Sequence, residues 1–129
     1  MNTKKDLNVS DWPSSLPGLD LTKAMSQLGG KKTLFVRLLG MFEGAHTEDV
    51  NKLKAAYDAQ DWTAVHEINH ALKGVTGNLA ANELYDFTVA IDAKVKEDNH
   101  DLDAEINGMI TAMATLLDSI TQAKELPTE

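Results

Sequence analysis

The chain has 129 residues, a length that suits a single domain with a sizeable core. Its 20 acidic and 12 basic residues give a net charge of −8, which disfavours nucleic acid as a partner because like charges repel. The lack of cysteine excludes disulfides and thiolate chemistry, and no apolar run reaches the roughly 20 residues that span a bilayer. Lys4 and Lys5 are not followed by an apolar segment, so no signal peptide is expected. We therefore expect a cytoplasmic protein, monomeric and without direct membrane contact.

The N-terminal part is predicted to be a flexible lead-in, residues 1–18, followed by a short helix. The lead-in is polar and contains two prolines, although Trp12 could pin it to the domain. Asp20 is a suitable N-cap for the helix, and the glycine pair at 29–30 should end it. The apolar residues of this helix fall on one face: Leu21, Ala24, Met25 and Leu28.

A long helical pattern follows over residues 31–60. Its apolar residues recur at spacings of three, four and seven: Phe35, Leu38, Phe42, Val50, Leu53 and Tyr57. A weak place at residues 44–47 leaves two helices open. No proline interrupts the pattern, so we predict one helix.

Three further helices are predicted. Asp61 should cap the first, which runs to about Leu79, and Asn82 begins the second, with a turn at 97–100. Asp101 should cap the third. The stripe of the second helix is Leu84, Phe87, Ile91 and Val95, and that of the third is Leu102, Ile106, Met109, Met113, Leu116 and Ile120.

The predicted fold is all-α. No segment shows the period-two alternation of a strand, and four long helices joined by short loops favour an antiparallel up-down four-helix bundle with a short additional N-terminal helix. We place the bundle at residues 19–124 and a C-terminal tail at 125–129.

One stretch of the helix predicted to begin after Asp61 carries unusual residues on its outer face. The core-facing stripe is Val65, Ile68, Leu72, Val75 and Leu79. At about 100° per residue, His70 points away from that stripe. The same outward half carries His66, Lys73, Gly74 and Gly77. A glycine inside a helix costs about 1 kcal/mol relative to alanine, and bare backbone on an outer face admits the close approach of a partner.

These residues resemble the histidine phosphotransfer (HPt) domain of bacterial phosphorelays. The family pattern is a phosphorylatable histidine, any residue, Leu-Lys-Gly, and a tail of a small residue or Gly followed by Asn-Leu-Gly. Here it stands as His70-Ala71-Leu72-Lys73-Gly74-Val75-Thr76-Gly77-Asn78-Leu79-Ala80. Ala80 takes the place where the family commonly has glycine, and weaker resemblance extends over residues 16–120 through the helix spacing.

The resemblance implies a phosphocarrier rather than an enzyme, without nucleotide binding or autokinase activity. It implies phosphorylation at Nε2 of His70, with Lys73 offsetting the phosphoryl charge, and partner docking at Gly74, Gly77, His66 and Asn78. The implied partner is the receiver domain of a response regulator or hybrid sensor histidine kinase. Mg²⁺ is expected only on that partner, and this chain should need no cofactor and no metal.

Alternatives from other classes remain. One is a helical interaction module without phosphotransfer, although such a module has no reason to keep an exposed histidine beside glycines. A remote one is zinc binding through residues 66–70, whose H-E-x-x-H sequence matches a metalloprotease signature but lacks a third ligand. A di-iron site would need His70 to project into the bundle, opposite to its predicted direction.

Overall fold

A computed structural model describes residues 12–128. They form six helices: α1 (Leu21–Gln27), α2 (Lys32–His46), α3 (Asp49–Asp58), α4 (Trp62–Asn78), α5 (Asn82–Lys96) and α6 (Asp103–Ala123). Within this range there is no sheet, only an isolated antiparallel bridge between Leu16 and Leu19. None of the helices described is both long and apolar enough to cross a membrane.

The long helices pack as an antiparallel bundle. Helix α4 packs between α3 and α5, while α6 packs against α5, α3 and α2. Short connections reverse the chain at residues 59–61, 79–81 and 97–102. The short helix α1 packs on α2 and lies near the end of α4, since the Asp20 amide donates to the Ala80 carbonyl at 3.0 Å. The predicted four-helix bundle with a short additional helix is confirmed.

The prediction of a single helix over residues 31–60 is wrong. Thr47 and Glu48 separate α2 from α3, close to the weak place in the sequence pattern. The Thr47 hydroxyl donates to the Glu43 carbonyl, and the His46 Nδ1 pairs with the Asp49 carboxylate at 2.7 Å across the break. These side chains supply local hydrogen bonds where the backbone ladder is interrupted.

The predicted helix starts are correct for α1 and α4 and wrong for α6. The carboxylates of Asp20 and Asp61 accept from the amides of Lys23 and Ala64. Asp101 lies outside α6, whose N-cap is Leu102. The Asp101 amide instead donates to the Asn99 side chain at 3.0 Å, so the residue belongs to an Asx-type turn.

The segment before α1 is packed against the bundle from Trp12 onward. Trp12 is buried, its indole Nε1 donates to the Pro127 carbonyl at 2.6 Å, and its ring lies 6.2 Å from that of Phe35. The Ser119 hydroxyl donates to the Pro17 carbonyl. Trp12 and Pro17 of the predicted lead-in, residues 1–18, therefore contact the bundle. Residues 1–11 lie outside the described part of the chain, and the domain limits stay a prediction.

Helix α4 ends in a Schellman motif centred on Ala80. The Ala81 amide donates to the Thr76 carbonyl at 3.0 Å, and the Ala80 amide donates to the Gly77 carbonyl at 3.3 Å. Ala80 adopts φ +58°, the left-handed conformation in which glycine carries no steric cost. Gln60 has the same φ after α3, with the Asp61 amide donating to the Ala56 carbonyl.

We expect Gln60→Gly to raise the free energy of unfolding by about 1 kcal/mol, because it relieves a left-handed side chain at an exposed position. Ala80→Gly should change stability by less. Its relief of strain is offset by about 0.8 kcal/mol for the loss of a fully buried methyl group. Thermal and urea unfolding of both variants measures the difference. Equal gains at both positions would contradict this account of Ala80.

Helices α5 and α6 approach closely at Gly108. A Cβ built on Gly108 would lie 2.4 Å from two ring carbons of Phe87. This distance is far inside van der Waals contact, so the Phe87 ring rests directly on the backbone of α6.

We expect Gly108→Ala to lower the free energy of unfolding by about 1 kcal/mol or more, because overpacking outweighs the gain in helix propensity. Gly40→Ala is the matched control. It also lies inside a helix, nothing is within 4 Å of its added Cβ, and it should stabilise the protein by up to about 1 kcal/mol. Chemical denaturation compares the two. Stabilisation by Gly108→Ala would show that Phe87 moves away without cost.

Candidate functional site

Helix α4 presents one exposed face and buries the opposite one. Its buried residues are Val65, Asn69, Leu72 and Thr76. Ile68 and Val75, predicted to face the core, are only half-buried. The buried face is therefore rotated slightly from the predicted apolar stripe, towards two polar residues. His70 lies on the exposed face, as the helical spacing predicted.

The two buried polar residues bond to backbone carbonyls. The Asn69 side-chain amide donates to the Thr88 carbonyl of α5 at 2.9 Å, while its own Oδ1 is buried without a hydrogen-bond partner. The Thr76 hydroxyl donates to the Leu72 carbonyl at 2.7 Å. Asn69 thus joins α4 to α5 at the residue that precedes His70.

Of the four histidines, His66 and His70 are exposed. Their rings lie 6.0 Å apart, one helical turn from each other. His46 is half-buried and paired with Asp49. The His100 ring stacks on Trp62 with centroids 3.9 Å apart. A nucleophilic imidazole accessible to a macromolecular partner is therefore found at His66 or His70.

The two glycines of α4 differ from each other. Gly74 is exposed, and a Cβ added there would meet nothing within 4 Å. A Cβ added at Gly77 would lie 3.3 Å from the Tyr85 ring of α5. The prediction that both glycines leave bare backbone on the outer face therefore holds for Gly74 only. Gly77 instead provides room for Tyr85 against α4.

Lys73 turns towards α5, where its ammonium pairs with the Asp92 carboxylate at 3.3 Å. Lys96 pairs with the same Asp92 oxygen at 3.0 Å. The Asp92 side chain is only 9% exposed, and the hydrogen bond from Lys96 holds its carboxyl pKa below the ordinary range against the effect of burial, with Lys73 adding to it. Asp92 was not among the site residues predicted from the sequence. The sequence feature that could have indicated it is an acidic residue next to Ile91 of the apolar stripe, four residues before a lysine with which it can pair.

An apolar groove of about 660 Å³ runs beside the exposed face of α4. It is lined by Gln27, Leu28, Leu38, Met41, Phe42, Ala45, His46, Val75, Asn78 and Leu79. Met41 is 61% exposed, the largest value among the exposed large apolar residues described. Asn78, a predicted docking residue, lies on this groove one turn after Gly74.

Metal ligation finds no support among residues 12–128, where no three His, Asp or Glu side chains gather into a possible site. In this part of the chain, no third protein ligand of the kind that a zinc hydrolase needs lies beside His66 and His70.

The comparisons with known proteins decide the family. The family model for the Hpt domain matches residues 37–125, which include most of α2 and all of α3 to α6. The chain belongs to the Hpt domain family. A search of the curated proteins and a search of the solved structures gave no match.

Hpt domains act in histidine phosphotransfer within two-component phosphorelays, and they are phosphocarriers rather than classical enzymes. Family membership implies interaction with receiver domains. In this Hpt domain the motif that carries the resemblance lies on α4 and the turn that follows it, and its His70, Gly74 and Asn78 are all exposed. Lys73 is half-buried and already engaged by Asp92.

Two carboxylates, one buried and one half-buried, make the stability of this Hpt domain depend on pH. Hydrogen bonds from Lys96 and Lys94 hold the carboxyl pKa values of Asp92 and Glu105 below their ordinary range. A carboxyl whose folded pKa is depressed binds more protons in the unfolded chain, so its stabilising contribution is complete above the ordinary carboxyl pKa of about 4 and is lost as pH falls further.

We expect the unfolding temperature to be level near neutral pH and to fall between about pH 4 and pH 2. The double variant Asp92→Asn, Glu105→Gln should be less stable at pH 7, and its unfolding temperature should fall less steeply with acid. Scanning calorimetry across this range gives both slopes. An unchanged slope in the double variant would assign the acid sensitivity to other carboxyls.

Proposed function

We propose that this Hpt domain accepts a phosphoryl group on His70 from the aspartate of a receiver domain and donates it to the aspartate of another. The observation that carries the proposal is the exposed imidazole of His70 beside the open backbone of Gly74, on the one helix that holds the motif. The imidazole of His70 points outward because the opposite face of α4 is buried.

The chemistry requires the neutral form of the imidazole, in which one ring nitrogen carries the proton and the other keeps a free lone pair. The lone pair of Nε2 attacks the phosphorus of the receiver's aspartyl phosphate, and an N–P bond forms. The acyl P–O bond breaks, and its electron pair remains on the aspartate carboxylate. The proton on the other ring nitrogen passes to solvent. Donation reverses these steps on the second receiver.

Lys73 supports the phosphoryl group electrostatically in this proposal. It lies one helical turn from His70, and an ammonium favours phosphoryl oxygens through charge-assisted hydrogen bonds. The receiver supplies its own carboxylates and Mg²⁺, so this chain contributes the nucleophile and the surface that orients it.

We assign docking to the exposed face that begins at His66 and continues past Gly74 into the apolar groove. Gly74 admits the receiver backbone or side chains close to His70, and exposed Met41 offers apolar contact on α2. Asn78 contributes a polar group on the groove. Gly77 acts indirectly, through the packing of Tyr85 on α4.

The test is phosphotransfer from a panel of purified receiver domains phosphorylated with acetyl phosphate. We expect an acid-labile, alkali-stable phosphate on this chain, located at His70 by mass spectrometry under alkaline conditions. Loss of phosphate from the receiver without a gain of phosphate on this chain would reflect hydrolysis rather than transfer. If receivers bind but none transfers a phosphoryl group, the chain is an interaction module that keeps the fold, which is the alternative function.

A further inference from the structure

The ammonium of Lys73 has a partner before any phosphoryl group arrives. It lies 3.3 Å from an oxygen of Asp92, whose side chain is 9% exposed, and that oxygen also accepts from Lys96 at 3.0 Å. Two cations therefore share one buried carboxylate. Lys73 comes from α4 and Lys96 from α5, so Asp92 joins the helix that carries His70 to its neighbour.

We propose that Asp92 is a positioning residue for phosphotransfer, which holds the Lys73 ammonium at α5 in the unphosphorylated chain and releases it to the phosphoryl group on His70. This inference rests on the proposed phosphorylation of His70. No bond to Asp92 forms or breaks other than hydrogen bonds, because Lys73 exchanges one anionic acceptor for another.

Lys96 makes this exchange feasible. Stranding a buried carboxylate without a cation is strongly unfavourable, but Lys96 remains paired with Asp92 after Lys73 has left. A phosphoryl group carries nearly two negative charges near neutral pH, whereas Asp92 carries one that Lys96 already compensates. The ammonium of Lys73 therefore has a more favourable electrostatic interaction with the phosphoryl group than with Asp92. The attraction of Asp92 for Lys73 reduces this difference only in part.

The consequence is that Asp92 sets how strongly His70 retains its phosphoryl group. Asp92→Asn removes the competing charge, so Lys73 should pair more fully with the phosphoryl oxygens. The equilibrium between a phosphorylated receiver and this chain should then shift towards phosphorylated His70 by about two- to fivefold, the range of a partly exposed ion pair. A residue that only supported the fold would lower the unfolding temperature without moving this equilibrium between two folded states.

The decisive experiment is a four-variant cycle of the equilibrium constant: wild type, Asp92→Asn, Lys73→Gln and the double variant. The shift caused by Asp92→Asn should disappear in the Lys73→Gln background. Glu105→Gln is the matched control, because Glu105 also pairs with a half-buried lysine, Lys94, and also has a depressed carboxyl pKa. The Lys94 ammonium bonds to the Asp101 carbonyl, beyond the end of α5, and Glu105→Gln should leave the equilibrium constant unchanged.

Carbon-13 NMR of the side-chain carboxylates provides an independent measurement at neutral pH. Phosphorylation should move the Asp92 Cγ resonance and leave the Glu105 Cδ resonance in place, because only Asp92 loses a lysine partner. If the wild-type chain accepts phosphate but Asp92→Asn has no effect on the equilibrium, the positioning role alone is overturned. The same holds if the effect of Asp92→Asn persists in the Lys73→Gln background. A wild-type chain that accepts no phosphate from any receiver would overturn the proposed function and this inference with it.

Discussion

His70→Gln is expected to abolish phosphoryl acceptance while the free energy of unfolding changes by less than about 0.5 kcal/mol. Glutamine has no nucleophilic ring nitrogen, so no phosphoramidate can form. The side chain is exposed on the outer face of α4, where the core does not contact it. Transfer from a phosphorylated receiver, followed on gels that retain the acid-labile label, measures the first effect, and thermal unfolding measures the second.

His66→Gln is the matched control for this prediction. His66 lies on the same face, is also exposed, and has its ring 6.0 Å from that of His70. It should still accept a phosphoryl group. Label that persists in His70→Gln and vanishes in His66→Gln would assign the reaction to the wrong residue, and a loss of several kcal/mol in His70→Gln would place His70 in the core.

Gly74→Gln is expected to slow phosphotransfer by about ten- to a hundredfold, the cost of small misplacements between reacting groups. Stability should stay the same or rise slightly, because the added side chain meets open space and glutamine is a better helix former than glycine. Gly74→Ala should stabilise the protein by up to about 1 kcal/mol and slow transfer less. Single-turnover transfer rates and unfolding temperatures separate the two effects.

Gly40→Gln controls for a general effect of replacing a helical glycine. Gly40 also has nothing within 4 Å of an added Cβ, but it lies three residues before Glu43, whose carboxylate pairs with Lys124 after α6. That flank of α2 is distinct from the groove, and Gly40 is not among the residues that line it. Transfer should proceed at the wild-type rate. Equal slowing by both substitutions would mean that bulk at Gly74 does not act on the docked partner.

The sequence predicted the bundle because apolar spacing is a property of each helix alone. Leu72 is buried and His70 is exposed as the period of 3.6 requires. Asn69 and Thr76 were not predicted to be buried, because burial of a polar side chain depends on hydrogen-bond acceptors that the fold supplies. For Asn69 the acceptor is the Thr88 carbonyl on α5, and for Thr76 it is the Leu72 carbonyl in the preceding turn.

The candidate site was predicted in part for the same reason. The exposure of His70 and Gly74 depends only on which face of α4 they occupy, and the helical spacing predicts that face correctly for both. The surroundings of Lys73 and Gly77 depend on the register of α5 against α4, which brings Asp92 and Tyr85 to them. Periodicity contains no information on that register. The break at Thr47 lies at the weak place of the sequence pattern, but one helix was predicted there because no proline or glycine pair marks the break.

The contact between Trp12 and Pro127 brings the two ends of the described chain to the same place. A longer polypeptide could therefore enter and leave the bundle at neighbouring points, as in a domain inserted into a surface loop of another protein. Tension applied through both ends would act on this one junction rather than slide the long helices past one another. Linking the ends and opening the chain at the exposed residues 29–30 would give a circular permutant that keeps the face of His70 intact.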